Sequence, residues 1–448
     1  MTGRGHGNPS KRESRASRAA FRRNLDKVFG WYTGGFVVFV LVLAVLEQFG
    51  LSRRWIGMIF LLATIVLYAG IGIMSRTTDA VEYYVAGRRV PAMYNGMATG
   101  ADWMSAASFI SLAGTLFLTG YNGLAFIMGW TGGYCLVALL LAPYLRKFGE
   151  FTIPDFLGAR YGGNLPRMLG IAAAVLCSFT YVVAQIYGVG LITSRLTGVA
   201  FELGIFLGLG GILVCSFLGG MRAVTWTQVT QYIILIAAYL IPVMWLSVKQ
   251  TGVPIPQIVY GFQLEKVSAM EKRLIDDPAE IAVREIYRRR AADLAEKLKN
   301  PRAALALEKT EAARKSAELK SAHAPDADIV AAEKTLFGLP KDEATARKVW
   351  AAARVQAEVK SRPLNGMPPH TQQFAGDPAG DADGQEEFDT SRRNFLALIA
   401  SLMLGTAALP HILMRYYTTP SVKEARESVA WSVFLIGLLY VTAPALAV

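Results

Sequence analysis

The chain has 448 residues, 53% of them hydrophobic, and a formal net charge of +12. A mean hydropathy of +0.34 spread over long apolar runs points to membrane spans and away from an ordinary soluble domain. No phosphate-cradling glycine loop or nucleophile elbow occurs, which argues against an ATP-driven pump or a hydrolase.

The N-terminal MTGRGHGNPSKRESRASRAAFRRNLDK is basic, and no short apolar core with a small-residue cleavage site follows it. Residues 1–30 therefore read as a solvated cytoplasmic tail and not as a signal peptide. Hydropathy marks spans near 31–50, 55–74, 94–118, 121–143, 168–192, 201–219, 226–248, 394–414 and 428–448, about nine helices. Positive residues orient them. Arg4, Lys11, Arg12, Arg15, Arg18, Arg22, Arg23 and Lys27 favour a cytoplasmic N-terminus. Counting from there puts Arg76, Arg88 and Arg89, then Arg146, Lys147, Arg160 and Arg167, then Arg222, and finally Arg415, Lys423 and Arg426 on the same side. The opposite short loops hold only Arg53, Arg54 and Arg195. The net charge is thus accounted for by anionic lipid, with no nucleic-acid partner needed. The expected location is the inner (plasma) membrane, crossed several times.

Residues 94–118, YNGMATGADWMSAASFISLAGTLFL, carry Gly100, Asp102, Ser105 and Ser108 near the start of an apolar run. Carboxylate and hydroxyl groups are costly in hydrocarbon, so such a helix either faces a solute or ion path or packs on its neighbours through small residues. Gly96, Gly100, Ala101, Ser105 and Ala106 would allow local unwinding, freeing carbonyls that can replace a cation's hydration shell. Asp102 is open between a cation-coupling carboxylate and a hydrogen-bond acceptor at the helix start.

Cys135, Cys177 and Cys215 all lie in apolar spans without C-x-x-C spacing, so they read as buried hydrophobes. His6, His323, His370 and His411 are too scattered for a metal cluster. Between 251 and 392 the character changes to Ala, Lys, Glu and Arg, a polar helical insertion outside the cytoplasm. Pro301, the APDAD turn and Gly338-Leu339-Pro340 should break its helices, and 361–390 reads as linker. Its role is open between an inert insertion and a partner-binding or gating cap. SRRNFLALIA has a twin-arginine look, but its internal position makes it the lip of a membrane helix.

Several stretches carry a family resemblance. Ala101-Asp102-Trp103-Met104-Ser105-Ala106-Ala107-Ser108-Phe109, followed by Gly120-Tyr121-Asn122-Gly123-Leu124, resembles the first core helix and turn of the sodium:solute symporter family, in particular its cation/acetate symporter (acetate permease) branch. Glu82 to Arg88 (EYYVAGR) resembles its cytoplasmic approach, and Phe151 to Leu157 (FTIPDFL) the loop after the second core helix. Gly219 to Gln228 (GGMRAVTWTQ) resembles the start of the fifth, and Leu409 to Tyr417 (LPHILMRYY) the Pro-His…Arg motif of the sixth. The resemblance covers about 31–260 and 391–448.

It implies an all-α membrane protein of the LeuT-like inverted-repeat class, with two peripheral helices and core helices 1–5 within 31–250 and core helices 6–7 within 393–448. It also implies a secondary symporter, not an enzyme, coupling sodium influx to uptake of a small monocarboxylate such as acetate. No cofactor is expected beyond sodium as the coupling ion. In the family, carbonyls three residues apart on the first core helix hold sodium; these map to Ala101 and Met104. The Ser105 hydroxyl is the nearby candidate for substrate or ion contact, with Ser108, Tyr181, Gln185 and Thr406 as further substrate candidates. Tyr181 and Gln185 share a helical face. Gln185 needs a partner, which a bound carboxylate, the adjacent broken helix or an ordinary interhelical contact would supply. Gly405, Thr406 and Pro410 offer a second break. His411 and Arg415 are candidates to gate or anchor, with Arg415 expected to snorkel to headgroups.

Two departures qualify the carry-over. Many family members have Asp where this chain has Gln228, which puts a second cation or proton site there in doubt. The chain also reaches Val448 within the expected seventh core helix, before the eighth that supplies the remaining sodium ligands. The sequence thus reads as truncated, and residues 1–448 alone are not expected to transport. Alternatives are a symporter for proline or another organic acid, or a membrane sensor input domain related to symporters. A small membrane subunit or periplasmic partner is left open.

Overall fold

The computed structural model describes residues 9–448. Arg4 and His6 lie outside the described residues, as do the side chains of Lys11, Arg12, Arg15, Arg18 and Cys215. Among the described residues every regular element is helical. The chain forms two compact units, residues 1–260 with 376–448, and residues 261–375, a narrower insertion than 251–392.

The first unit begins with α1 (Pro9–Gln48) and α2 (Arg53–Met74). The basic segment is not a free tail: α1 runs through it without a break. Its Leu25 and Phe29 pack on the core, and Asp26 accepts a hydrogen bond from the Tyr94 hydroxyl at 2.6 Å. Short α3 (Ala80–Val85) is capped by Asp79, whose carboxylate accepts from the Glu82 N–H. Next come α4 (Ala92–Trp103), a π-helical stretch over Ala106–Ser111, α5 (Leu112–Thr119), α6 (Leu124–Leu136) and α7 (Ala142–Phe148). They are followed by α8 (Ile153–Tyr161), α9 (Asn164–Thr197) and the long α10 (Phe201–Thr251). At Gly220 the backbone of α10 takes φ 50° and ψ −141°, a conformation that favours glycine. A Cβ there would also collide with Tyr83, so this kink seats α10 against the segment bearing α3.

The insertion holds most of α11 (Pro256–Asp276), which begins in the first unit, and α12 (Pro278–Lys299), α13 (Pro301–Ser321), α14 (Asp326–Phe337) and α15 (Glu343–Ser361). Its breaks fall at the expected Pro301, at 322–325, where α14 already begins inside the expected APDAD turn, and at 338–340. Capping explains the starts: Asp277 accepts from the Ala279 N–H at 2.7 Å and Asp342 from the Thr345 N–H at 2.8 Å. Leu294, Leu305, Ala346 and Trp350 form a small core.

The chain returns to the first unit with α16 (Ala382–Ala408), α17 (Pro410–Met414) and α18 (Val422–Ala447). The expected linker is shorter than 361–390 because Asp381 caps α16, accepting from the Gly384 N–H at 2.9 Å, and the polar ADGQEEFDTSRR turns join the apolar helix. Leu409 (ψ 116°) breaks the run before Pro410, bending it by 45°.

Among the described residues, six helices are long and apolar enough to cross a membrane, or seven if the bent pair is one span. The chain is a multi-pass membrane protein. This count, by length and composition alone, groups the expected apolar runs differently. Ala106–Phe148 takes in α5, α6 and α7, Phe201–Gly210 is set apart from Ser216–Thr251 as shorter than a span, and the run at 94–118 is divided by its break. Cys135 and Cys177 are exposed, not buried; in a membrane span the outward face is as apolar as the core, so hydropathy alone does not separate the two.

Candidate functional site

The centre of the first unit is the break at the end of α4. Gly96 and Gly100 bring this helix against α18 and α10: a Cβ on Gly96 would lie 3.2 Å from the Ser432 nitrogen, and one on Gly100 2.9 Å from the Tyr232 ring. The helical ladder ends with the Met104 N–H donating to the Gly100 carbonyl at 3.0 Å. Met104 (ψ 57°) and Ser105 (ψ 176°) then leave helical geometry before it resumes at Ala106. The unwinding expected between Gly96 and Ala106 thus falls on two residues.

Ending the ladder removes the helical donors from the carbonyls of Ala101 to Met104. Two of the four find side chains. The Asp102 carbonyl accepts from the Tyr181 hydroxyl at 3.3 Å, and the Trp103 carbonyl from the Ser108 hydroxyl. The two carbonyls singled out for sodium, Ala101 and Met104, belong to the same freed stretch. On the other side of the break, the Ser105 N–H donates to Ser108 Oγ at 3.1 Å and the Ala106 N–H to Gln185 Oε1 at 3.0 Å. The partner of Gln185 is therefore the broken helix.

The Asp102 side chain is engaged elsewhere. Arg415 Nε donates to its Oδ2 at 2.6 Å, Gln228 Nε2 donates to its Oδ1, and Arg415 Nη1 donates to Thr225 Oγ1 at 2.9 Å. The side chains of Arg415 and Asp102 are only 3% and 13% exposed. This corrects the expectation that Arg415 snorkels to headgroups. The turn at Leu409–Pro410 directs residues 410–418 inward, where Ile412, Tyr416, Tyr417 and Thr418 are also buried. A charge-assisted pair of this length compensates two ions that hydrocarbon could not solvate singly. Gln228 Oε1 is buried without a partner among the described residues.

His411 packs against Tyr181 with ring centroids 4.8 Å apart and the planes tilted by 33°, and its Nε2 is buried without a partner among the described residues. It also lines a cavity of about 590 Å³ with Pro154, Val175, Ser178, Pro410 and Met414. The break therefore gathers Ala101, Asp102, Met104, Ser105, Ser108, Tyr181 and Gln185. Thr406 is not brought to it in the same way; it packs on α6, where a Cβ on Gly133 would collide with it.

Sequence reading missed Thr225 and Gln228 as partners of the Asp102–Arg415 pair. The available signal was periodicity: Met221, Thr225 and Gln228 are spaced to share one face of α10, and Arg415 Nη1 reaches the first two. It also missed Asn95, fully buried on α4, which donates to Ser428 Oγ at 2.7 Å and accepts from the Thr418 hydroxyl at 2.9 Å.

Comparison with known proteins gives four results. Residues 83–269 match the model of the sodium:solute symporter family. An uncharacterized symporter of Cupriavidus necator is 51% identical over 438 residues, covering 96% of this chain and 63% of that protein. A monocarboxylic acid transporter of Corynebacterium glutamicum is 24% identical over 386 residues, covering 85% of this chain and 52% of its own. The chain thus spans between about half and two thirds of the length of these relatives. A solved structure of a substrate-bound, outward-open Na+-coupled sialic acid symporter aligns with a TM-score of 0.40 at 15% identity, over 89% of this chain and 80% of that one.

Proposed function

We propose, from a chain whose residues 83–269 match the model of the sodium:solute symporter family, a secondary symporter that couples sodium influx to uptake of a small monocarboxylate such as acetate. The observation that carries the reading is the break at Met104–Ser105 inside the family-like motif. It leaves a cluster of backbone oxygens at membrane depth, next to the Ser105 hydroxyl. Irregular backbone is tolerated there only where it is buried in protein or lines a site.

In this reading the Ala101 and Met104 carbonyls contribute sodium ligands, replacing part of the ion's hydration shell, and Ser105 contacts the ion or the solute beside it. Gln185 holds the unwound segment by accepting from Ala106, and Tyr181 does so by donating to the Asp102 carbonyl. Asp102 is neutralised by Arg415. Its role is to tie the α4 break to the segment after the second break, and direct contact with the cation is left to carbonyls. Sodium drives uptake by binding more tightly to one of two alternating states, which biases an equilibrium that exists without it. The basic loops favour a cytoplasmic N-terminus in the plasma membrane.

A monocarboxylate is favoured by the motif resemblance together with the name of the Corynebacterium glutamicum relative. The test is uptake of labelled acetate by cells expressing the full-length gene product, competed in turn with propionate, lactate and proline. Acetate uptake displaced by the short acids and untouched by proline is expected. Displacement by proline alone would overturn the substrate class.

A further inference from the structure

We infer that the first unit carries a binding site for an anionic phospholipid, in a cavity between α1, α2 and α10. The cavity measures about 420 Å³. Leu25 and Phe29 of α1, Leu67 and Ile71 of α2, and Trp226 of α10 supply apolar walls. Phe29 and Trp226 pack with ring centroids 6.1 Å apart. At one end the lining changes to Glu82, Arg89 and Arg222. A pocket apolar along most of its length and polar at one end fits an amphiphile, and its walls are membrane-spanning helices, so the bilayer is the source.

Charge selects the headgroup. Each carboxylate at this end already has partners. Asp26 accepts from Tyr94, Asp79 caps α3, and Glu82 pairs with Arg222 while accepting from the Thr77 hydroxyl at 3.0 Å. Arg89 lines the cavity and has no ion-pair partner among the described residues. The basic lining residues are thus Arg222, paired with Glu82, and the unpaired Arg89. An unpaired arginine beside an apolar slot at a span end attracts an anionic headgroup and offers nothing extra to a zwitterion. The phosphodiester would lie at Arg89 and an acyl chain along Leu67 and Ile71. The site is separate from the α4 break, so the inference is independent of which solute or cation is carried.

Native mass spectrometry of the full-length protein, titrated with phosphatidylglycerol or phosphatidylcholine, tests it. Preferential retention of phosphatidylglycerol is expected. Arg89→Gln should lower that preference about fivefold, the factor for one basic residue near a membrane surface. Leu67→Trp should lower retention of both lipids by filling the slot. Equal retention of the two lipids, an unchanged preference in Arg89→Gln, or displacement of phosphatidylglycerol by equimolar oleate would each overturn the proposal. The last would make the occupant a free fatty acid.

Discussion

The Arg415 guanidinium lies 2.6 Å from the Asp102 carboxylate, and the two residues flank two different helix breaks. Asp102 sits two residues before the end of the α4 ladder, and Arg415 follows the bend at Leu409–Pro410. The buried ion pair thus joins the two breaks directly, alongside the Thr418–Asn95 hydrogen bond. With Thr225 and Gln228 added, the pair also ties both segments to α10.

Removing one partner strands a charge. Asp102→Asn or Arg415→Gln should each destabilise the folded protein by about 3–5 kcal/mol, the usual cost of leaving a buried ion uncompensated. The double variant should recover part of that loss. Thermal unfolding in detergent measures it, and single variants that melt like the unmodified protein would contradict the assigned pairing.

A milder loss is expected at Gln185. Gln185→Leu leaves the Ala106 N–H without its acceptor, costing about 1–3 kcal/mol for an unsatisfied buried donor. Because the affected turn bears Ser105, the proposed coupling predicts a raised half-saturating sodium concentration for uptake. Wild-type sodium dependence in this variant would separate Gln185 from the coupling site.

Much of this was legible in the chain, and the parts that were not share a cause. The small-residue run from Gly96 to Ala106 announced an unwound segment because glycine, alanine and serine lower the cost of leaving helical geometry. Pro410 announced the second break because proline lacks a donor and restricts its predecessor. The fate of Arg415 was not legible. An arginine near the end of an apolar run reads the same whether it reaches outward to headgroups or inward to a carboxylate 313 positions away in sequence. Cys135 and Cys177 were misread for a related reason, since hydropathy does not distinguish a lipid-facing side chain from a core one. The start of α16 was missed because its polar turns resemble a linker until the Asp381 cap is recognised.

Close packing of α6 on α16 depends on Gly133, where any Cβ would collide with Thr406. Gly133→Val should cost about 1–3 kcal/mol by overpacking. It should also lower the melting temperature more than Gly114→Val, since Gly114 has open space around its Cβ direction. Equal effects of the two substitutions would refute this packing.

The insertion should respond to acid. Asp342 caps α15 by accepting from the Thr345 N–H at 2.8 Å and its hydroxyl at 3.2 Å, which holds its carboxyl below the usual 3.8. A carboxyl depressed on folding contributes stability above its unfolded value and loses it as the pH falls through the folded one. Amide protection in α15, read by hydrogen exchange on the whole protein, should therefore decline below about pH 4. In Asp342→Asn this acid step should be absent; the same step in that variant would assign it to another group.

The most direct test of the central claim is labelled acetate uptake into proteoliposomes carrying the full-length protein, with either a sodium or a proton gradient imposed. Concentrative uptake that follows the sodium gradient, is insensitive to the proton gradient and is abolished by Ser105→Leu is the predicted result. Uptake driven by protons without sodium, or sodium-driven uptake undiminished in Ser105→Leu, would contradict a coupling site at the α4 break.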